Sequence, residues 1–366
     1  MDLSVCLVAT ELFGWGRYGG FGASTRMIGE SLAERGVEVS VVVPRGEGQR
    51  PVEHVEGMTI RSFPLRSYPL TGGIYRLCDS DVFHSEEPSW GTLKAQEAMP
   101  GRKHVVTCQN PKMDEDWRRV YGYYPLRRRL YNALMEGRVR QGVRMVDAVY
   151  CQAYSTISKA KQIYGLPRNP GFLPNPVKIP ALPPRKASEP TVCFLGRFDA
   201  EKRPECFFDL AKEFTDIKFV ALGKAHDERL DRRLRESYGG IGNLSLPGFV
   251  LGKEKEDILD EAWVLVNTSV SECLPVSFLE ASAHRCAILS FHNPDGFASS
   301  FGFHADEGSL SAGLRWLLDD DRWRRMGEEG YRYVSEIHEL RRVIDLHIRE
   351  YEKILGTIPR PSSSAR

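Results

Sequence analysis

The stretch Ser271-Glu272-Cys273-Leu274-Pro275-Val276-Ser277-Phe278-Leu279-Glu280-Ala281 carries two glutamates eight positions apart, separated by a Leu274-Pro275 turn. Proline suits a helix start and disrupts a helix interior, so this spacing predicts a helix from about Val276. The apolar run before it, 262–267, reads as a buried strand. The segment is therefore strand, loop and helix, with one carboxylate on the loop and one about a turn inside the helix. Free N–H groups at a helix start attract phosphate oxygens. An ionised carboxylate accepts hydrogen bonds from two neighbouring hydroxyls, as on a ribose. Together these make half of a sugar-nucleotide site. Taken alone, the pair reads equally as a solvated loop acid and an ordinary helix-start acid, because 49 acidic residues produce chance pairs at any one spacing.

The chain has 366 residues, long for one core and comfortable for two domains. It is 42% hydrophobic and 27% charged, an ordinary soluble composition. A net charge of +1 supplies no global field for nucleic acid. No apolar run approaches the ~20 residues that span a bilayer. Residues 1–5 lack a basic region ahead of their apolar run and read as a first strand, not a signal peptide. The eight cysteines are scattered without a Cys-x-x-Cys pair, which argues against a zinc cluster. Cys6 and Cys193 fall in predicted core strands, and buried free thiols favour a cytoplasmic compartment.

The N-terminal half alternates strand and helix signals. Strands are predicted at 3–10, 37–43, 58–63, 81–84, 104–107 and 147–151, with a glycine-rich loop at 14–22 and a helix at 25–35. Residues 167–190, rich in proline and asparagine, read as an interdomain connection. The pattern then restarts. Strands are predicted at 191–195, 218–222, 263–267 and 287–290, and helices at 204–214, 227–237, 308–318 and 331–355. Residues 359–366 read as a disordered tail. This is the βα alternation of parallel, doubly wound sheets. The domains expected are 1–170, 171–335, a C-terminal helix over 336–358, and the tail.

The predicted strand 192–195 runs into Gly196-Arg197-Phe198-Asp199-Ala200-Glu201-Lys202-Arg203-Pro204. A glycine at a strand end lets a ligand approach the backbone. Arg197 as a planar fork and Lys202 as a point charge would neutralise a diphosphate. The alternative is a solvated basic turn. Gly19-Gly20-Phe21-Gly22 precedes a helix and offers N–H groups to an anion, or else makes a flexible turn. The stretch from Gly19 to Ser24 is not itself a Gly-x-Gly-x-x-Gly fingerprint, and no P-loop is present, which weakens NAD and ATP readings.

Asn175-Pro176-Val177, Gly196-Arg197 with Lys202, Gly248-Phe249-Val250, Asn267-Thr268-Ser269, and Glu272 through Glu280-Ala281 carry a resemblance over about 170–300. In their order and spacing the chain resembles the retaining glycosyltransferases of family four. The resemblance implies a GT-B fold: two Rossmann-like, doubly wound α/β domains facing a cleft, with the C-terminal helix packing back toward the N-terminal domain. It implies transfer of a hexose from a nucleotide-sugar to an acceptor hydroxyl, on a glycan, a lipid-linked sugar or a small polyol. Arg197 and Lys202 would hold the donor diphosphate, and Glu272 would contact the transferred sugar. Glu280 would accept from the ribose. Gly196, Leu274, Val276 and the backbone at Phe249-Val250 would line the donor, with Gly20 and Gly22 approaching from the other domain. The resemblance implies no cofactor and no metal.

The chain departs from the family where relatives carry a histidine after the strand ending at Thr107-Cys108. Here that position is Gln109, so no catalytic histidine is carried over. Cys273 replaces the usual glycine after the first glutamate. His84, Glu86 and Gln109 are acceptor-side candidates, each with a bland alternative: a satisfied strand-end histidine, a surface acid, a polar loop residue. Residues 117–144 mix Arg127-Arg128-Arg129 with Tyr121, Tyr123, Tyr124 and Tyr131. They read either as a solvated helix face or as peripheral contact with the inner face of a membrane. Competing functions are a nucleotide-sugar epimerase or glycoside phosphorylase of the same fold, or a sugar-nucleotide-binding protein without turnover.

Overall fold

The computed structural model describes residues 3–16, 19–124 and 126–356, with the side chains of Arg127, Arg128 and Tyr131 excepted. The expectation for 359–366 and the charges of Arg127 and Arg128 lie outside the described residues.

Burial on both faces organises the first sheet. Strands β1 (Ser4–Val8) and β2 (Glu38–Arg45) are almost wholly buried, as expected of parallel strands covered on two sides. Val5, Leu7, Val39 and Val41 pack with Ile28 and Leu32 of the Gly20–Glu34 helix and with Ile344, Ile348 and Tyr351 of the Leu340–Leu355 helix. Cys6, Val8 and Val42 alternate to the opposite face, with Tyr75, Phe83 and Ala95. The sheet continues with β3 (Val52–Val55), β4 (Met58–Pro64), β5 (Val82–Ser85), β6 (Lys103–Cys108), β7 (Ala148–Cys151) and β8 (Gly171–Phe172). Its order is β3-β4-β2-β1-β5-β6-β7-β8, parallel except for β3 against β4. The winding reverses between β1 and β5, a topological switch point.

The second sheet contains β9 (Thr191–Leu195), β10 (Lys218–Leu222), β11 (Leu244–Gly248), β12 (Val264–Asn267), β13 (Ala287–Ser290) and β14 (Gly302–His304), all parallel. Its order, β11-β10-β9-β12-β13-β14, is the doubly wound pattern with its switch point between β9 and β12. Phe194, Phe207 and Phe219 form a chain of ring contacts under β9 and β10, at 5.6 and 5.3 Å. Cys6 and Cys193 are both fully buried.

The chain divides into two units. One comprises Met1–Met113, Pro125–Pro176 and Leu340–Arg366; the other comprises Asp114–Tyr124 and Val177–Glu339. The last helix therefore belongs with the first sheet, as the GT-B architecture requires, and the fold is GT-B-like.

Two expectations are corrected. The predicted helix at 331–355 is two helices, Arg322–Ile337 and Leu340–Leu355. The His338 carbonyl accepts from the Val177 N–H at 2.8 Å and Val177 bridges to Glu339, so the backbone there bonds sideways and the helix stops. The glycine-rich loop is shorter than expected, because Gly20 and Gly22 already lie in the first turn of the Gly20–Glu34 helix. The strands β3, β8, β11 and β14 were not anticipated; three of them have four residues or fewer, too short for a periodic signal.

Candidate active site

The second switch point gathers the charged candidates. Beyond β9, the loop 196–203 is anchored by Phe198, fully buried and 5.5 Å from Phe208 in an edge-to-face contact. Beyond β12, Thr268 Oγ1 donates to the carbonyls of both Lys202 and Arg203 at 2.8 Å. The Val270 N–H donates to the Glu201 carbonyl at 2.8 Å. These bonds stitch the two loops together, so Lys202 and Glu272 meet although 70 positions separate them.

Lys202 Nζ donates to Glu272 Oε1 at 2.6 Å, as does Ser269 Oγ at 2.6 Å, with Asn267 Nδ2 at 3.4 Å. All three donors converge on Oε1. Among the described residues Oε2 accepts none. Burial pushes the Glu272 carboxyl up, but the Lys202 ammonium and the hydroxyl and amide donors outweigh it, and the group stays below the ordinary range.

The helix Val276–Ala283 follows, with Pro275 at its N-cap and no side-chain cap. The Phe278 N–H donates to the Pro275 carbonyl at 3.0 Å, while among the described residues the Val276 and Ser277 N–H groups have no partner and are open to an anion. Leu274 is buried beside this turn. Glu280, one turn on, receives Lys255 Nζ on Oε1 at 2.7 Å. Phe249 is half exposed and Val250 buried, between β11 and the Gly252–Glu261 helix.

Arg197 is more engaged than its sequence suggests. Nη1 donates to Asp199 Oδ2 at 2.5 Å and Nη2 to Glu201 Oε1 at 2.9 Å, and Nη1 lies 3.0 Å from His226 Nδ1. His226 also donates its backbone N–H to Asp199 Oδ1 at 2.9 Å. Asp199 and Glu201 stand in the same loop and were open to local reading. His226 follows β10 and joins only because β10 pairs with β9. Gly196 is not the tightest backbone position here. A Cβ on Gly196 would meet only ordinary contacts, whereas one on Gly223, at φ +154°, would fall 1.8 Å from the Gly196 carbonyl oxygen.

The acceptor-side candidates lie in the first unit. His84 is fully buried, with Nδ1 at 2.7 Å from the Tyr351 hydroxyl and Nε2 at 2.8 Å from Thr107 Oγ1. Burial, reinforced by His347, holds it well below the ordinary imidazole range. Glu86 is buried beside it, with Oε1 3.6 Å from His84 Nδ1, and burial pushes its carboxyl up to about 8. Gln109 exchanges both amide bonds with Asn175, at 3.1 and 2.9 Å. Gly20 and Gly22 open the Gly20–Glu34 helix, where the Gly19 N–H donates to Glu11 Oε2 at 2.6 Å.

Known families and folds match this chain. The model of "Glycosyltransferase Family 4" matches residues 18–179, and that of "Glycosyl transferases group 1" matches residues 178–333. No curated protein matches the sequence. Among solved structures, sucrose-phosphate synthase from Thermosynechococcus elongatus superposes with a TM-score of 0.79 at 14% identity, over 98% of this chain and 100% of that one. Anabaena HepE, solved with UDP-glucose, gives 0.72 at 12% over 98% and 100%. The catalytic domain of Arabidopsis thaliana starch synthase IV, bound to ADP and acarbose, gives 0.66 at 12% over 97% and 100%. With both halves matched to the two family models, the chain belongs to the family 4, group 1 glycosyltransferases: it is an enzyme that transfers a sugar from a nucleotide-sugar donor.

Proposed function

We propose that the protein moves a hexose from a nucleoside diphosphate sugar to an acceptor hydroxyl, with the donor held on the second unit. The observation that carries this reading is Glu272, pinned through Oε1 by Lys202 and Ser269 with Oε2 open, beside an uncapped helix N-terminus. As the bond between the anomeric carbon and the diphosphate breaks, negative charge grows on the leaving phosphate. Lys202, Arg197 and the first-turn N–H groups near Val276 stabilise it without reorganising. Glu272 Oε2 accepts a hydroxyl of the transferred sugar, and Glu280 accepts from the ribose. Gly196, Leu274 and the backbone at Phe249 and Val250 line the donor. The acceptor oxygen bonds to the anomeric carbon on the face the diphosphate leaves, and its proton passes to the departing phosphate. The anomeric configuration is retained.

HepE was solved with UDP-glucose and starch synthase IV with ADP, so the fold accommodates more than one base. Calorimetric titration with UDP, GDP, ADP and dTDP sugars, with Glu280→Ala alongside, tests the reading. One nucleotide is expected to bind and to weaken in the variant. No binding by folded protein would overturn the donor site. The bonds to both His84 ring nitrogens favour transfer over an epimerase that uses His84 as its base.

A lipid-linked acceptor at a cytoplasmic membrane face is supported by the Leu126–Arg144 helix. Leu126, Leu130 and Leu134, spaced four apart, are 69, 57 and 73% exposed. No helix among the described residues is long and apolar enough to cross a membrane, so contact would be peripheral. Co-sedimentation with anionic vesicles is expected for the wild type and is expected to be lost in Leu130→Glu.

A further inference from the structure

Beside the Glu272 site, the second unit holds a cavity of about 520 Å³ at the carboxyl ends of β12, β13 and β14. Ser269, whose hydroxyl donates to Glu272, forms part of its wall, so the cavity borders the carboxylate assigned to the transferred sugar. Arg119, Arg203, His292 and His304 line it.

Arg203 stands in a costly position. Its backbone adopts φ +49°, the left-handed region that glycine occupies freely and other residues enter against steric repulsion. Its backbone work is done by main-chain atoms: the carbonyl accepts from Thr268 and from the Cys206 N–H. Glycine would serve that work as well, so the side chain is the reason to bear the strain. The guanidinium lies over the Phe291 ring, 5.4 Å from its centroid. Its carboxylate partner is Glu307, whose side chain is 75% exposed, a solvated ion pair that a ligand anion can replace. The neighbouring Asp306 carboxylate is turned onto its own loop, accepting from the Gly308 N–H at 3.0 Å. Arg119 makes no ion pair or hydrogen bond among the described residues and is exposed at the cavity. It comes from the short Asp114–Val120 helix, which the fold groups with the second unit.

We propose that this cavity is an acceptor subsite in which Arg203 and Arg119 bind a phosphate or carboxylate carried by the acceptor sugar. The inference rests on the donor reading for its orientation, since Ser269 joins the two pockets. Its chemistry stands separately: two guanidiniums line one cavity with no fixed, buried counter-charge, and each offers a planar set of donors to an anion.

Calorimetry on the full chain with glucose 6-phosphate, glucuronate and glucose, each with and without a saturating nucleoside diphosphate, tests it. An anionic sugar is expected to bind at least tenfold more tightly than glucose, and whichever of the two does so names the group. Arg203→Gly should abolish that preference while melting no lower than the wild type, and Arg119→Ala should reduce it several-fold. Equal binding of all three sugars, weak binding included, overturns the subsite. So does an Arg203→Gly variant that loses nucleoside diphosphate as strongly as sugar anion, because the arginine would then belong to the donor pocket. If the nucleotide fails to bind but the sugar-anion preference persists in the wild type and vanishes in Arg203→Gly, the subsite stands and the donor reading falls.

Discussion

The two switch points are built on the same winding and are filled in opposite ways. Around the first switch point most polar side chains pair within the unit, since His84 bonds Tyr351 and Thr107 and Gln109 bonds Asn175, while Glu86 Oε1 stays buried without a hydrogen bond. Between β9 and β12, polar side chains converge but leave capacity open: Glu272 keeps Oε2, and a helix start keeps the N–H groups of Val276 and Ser277. An open α/β sheet offers a crevice at every switch point. Whether that crevice becomes a site depends on what the flanking loops and a returning helix put into it. In the first unit the Leu340–Leu355 helix delivers Tyr351 and His347 onto His84. The second crevice is bounded by loops that fix charges and leave room.

The contrast can be broken at its strongest point. Lys202→Ala should lower kcat about 10²–10³-fold in folded protein, the effect of removing one preorganised donor from developing charge. A loss under tenfold would remove Lys202 from the leaving-group role. His84→Gln, by contrast, should act mainly on stability, and equal losses of turnover in the two variants would erase the distinction.

The second test concerns the loops that hold the charges. Gly223→Ala should destabilise by about 3 kcal/mol, because its Cβ would overlap the Gly196 carbonyl. Gly196→Ala should cost under about 1 kcal/mol on the same denaturant curve. Equal midpoints for the two variants would mean that the strand ends relax more easily than their geometry implies.

Buried acid and base in the first unit predict a two-sided pH profile. Glu86 titrates at about 8 folded against 4.5 unfolded, so its share of stability is intact below pH 4.5 and is lost as the pH climbs from 4.5 to 8. His347, pushed down by burial to about 3 from 6.5, acts in reverse, and stability is lost as the pH falls from 6.5 to 3. Each such group contributes a slope of roughly 1.4 kcal/mol per pH unit at most. Glu87, pushed by burial to about 7, adds to the alkaline limb, and His84, held low by burial, adds to the acid limb. Glu86→Gln should make the alkaline limb shallower, leaving the share of Glu87, and spare the acid one. Urea midpoints from pH 4 to 8 for both proteins check this, and an unchanged alkaline limb would acquit Glu86.

The smallest effect expected is at the stitch between loops. Thr268→Val keeps the shape and removes the hydroxyl that serves the Lys202 and Arg203 carbonyls, a loss of about 1 kcal/mol. A neutral result would leave the Val270 backbone bond as the main tie.

Much of this was legible because it was local. The strand-loop-helix units around Arg197 and Glu272 show in burial runs, glycines and a proline within about fifteen residues each. The parallel sheets follow from their alternation. The short strands β8 and β14 were not legible, since two or three residues carry no period. Nor was the break at His338, which depends on Val177 arriving beside it. Asp199 and Glu201 were in view as letters, but their grip on Arg197 depends on the curl of residues 196–203.

The sequence by itself determined the fold class, the family, and which loops carry charge, because strand and helix periods and turn residues are written in neighbouring positions. Only the tertiary structure decided which polar groups are satisfied and which stay open. Glu272 meets Lys202 across 70 positions and Gln109 meets Asn175 across 66. Hydrogen bonds depend on distance and angle in space, and chain separation does not encode either.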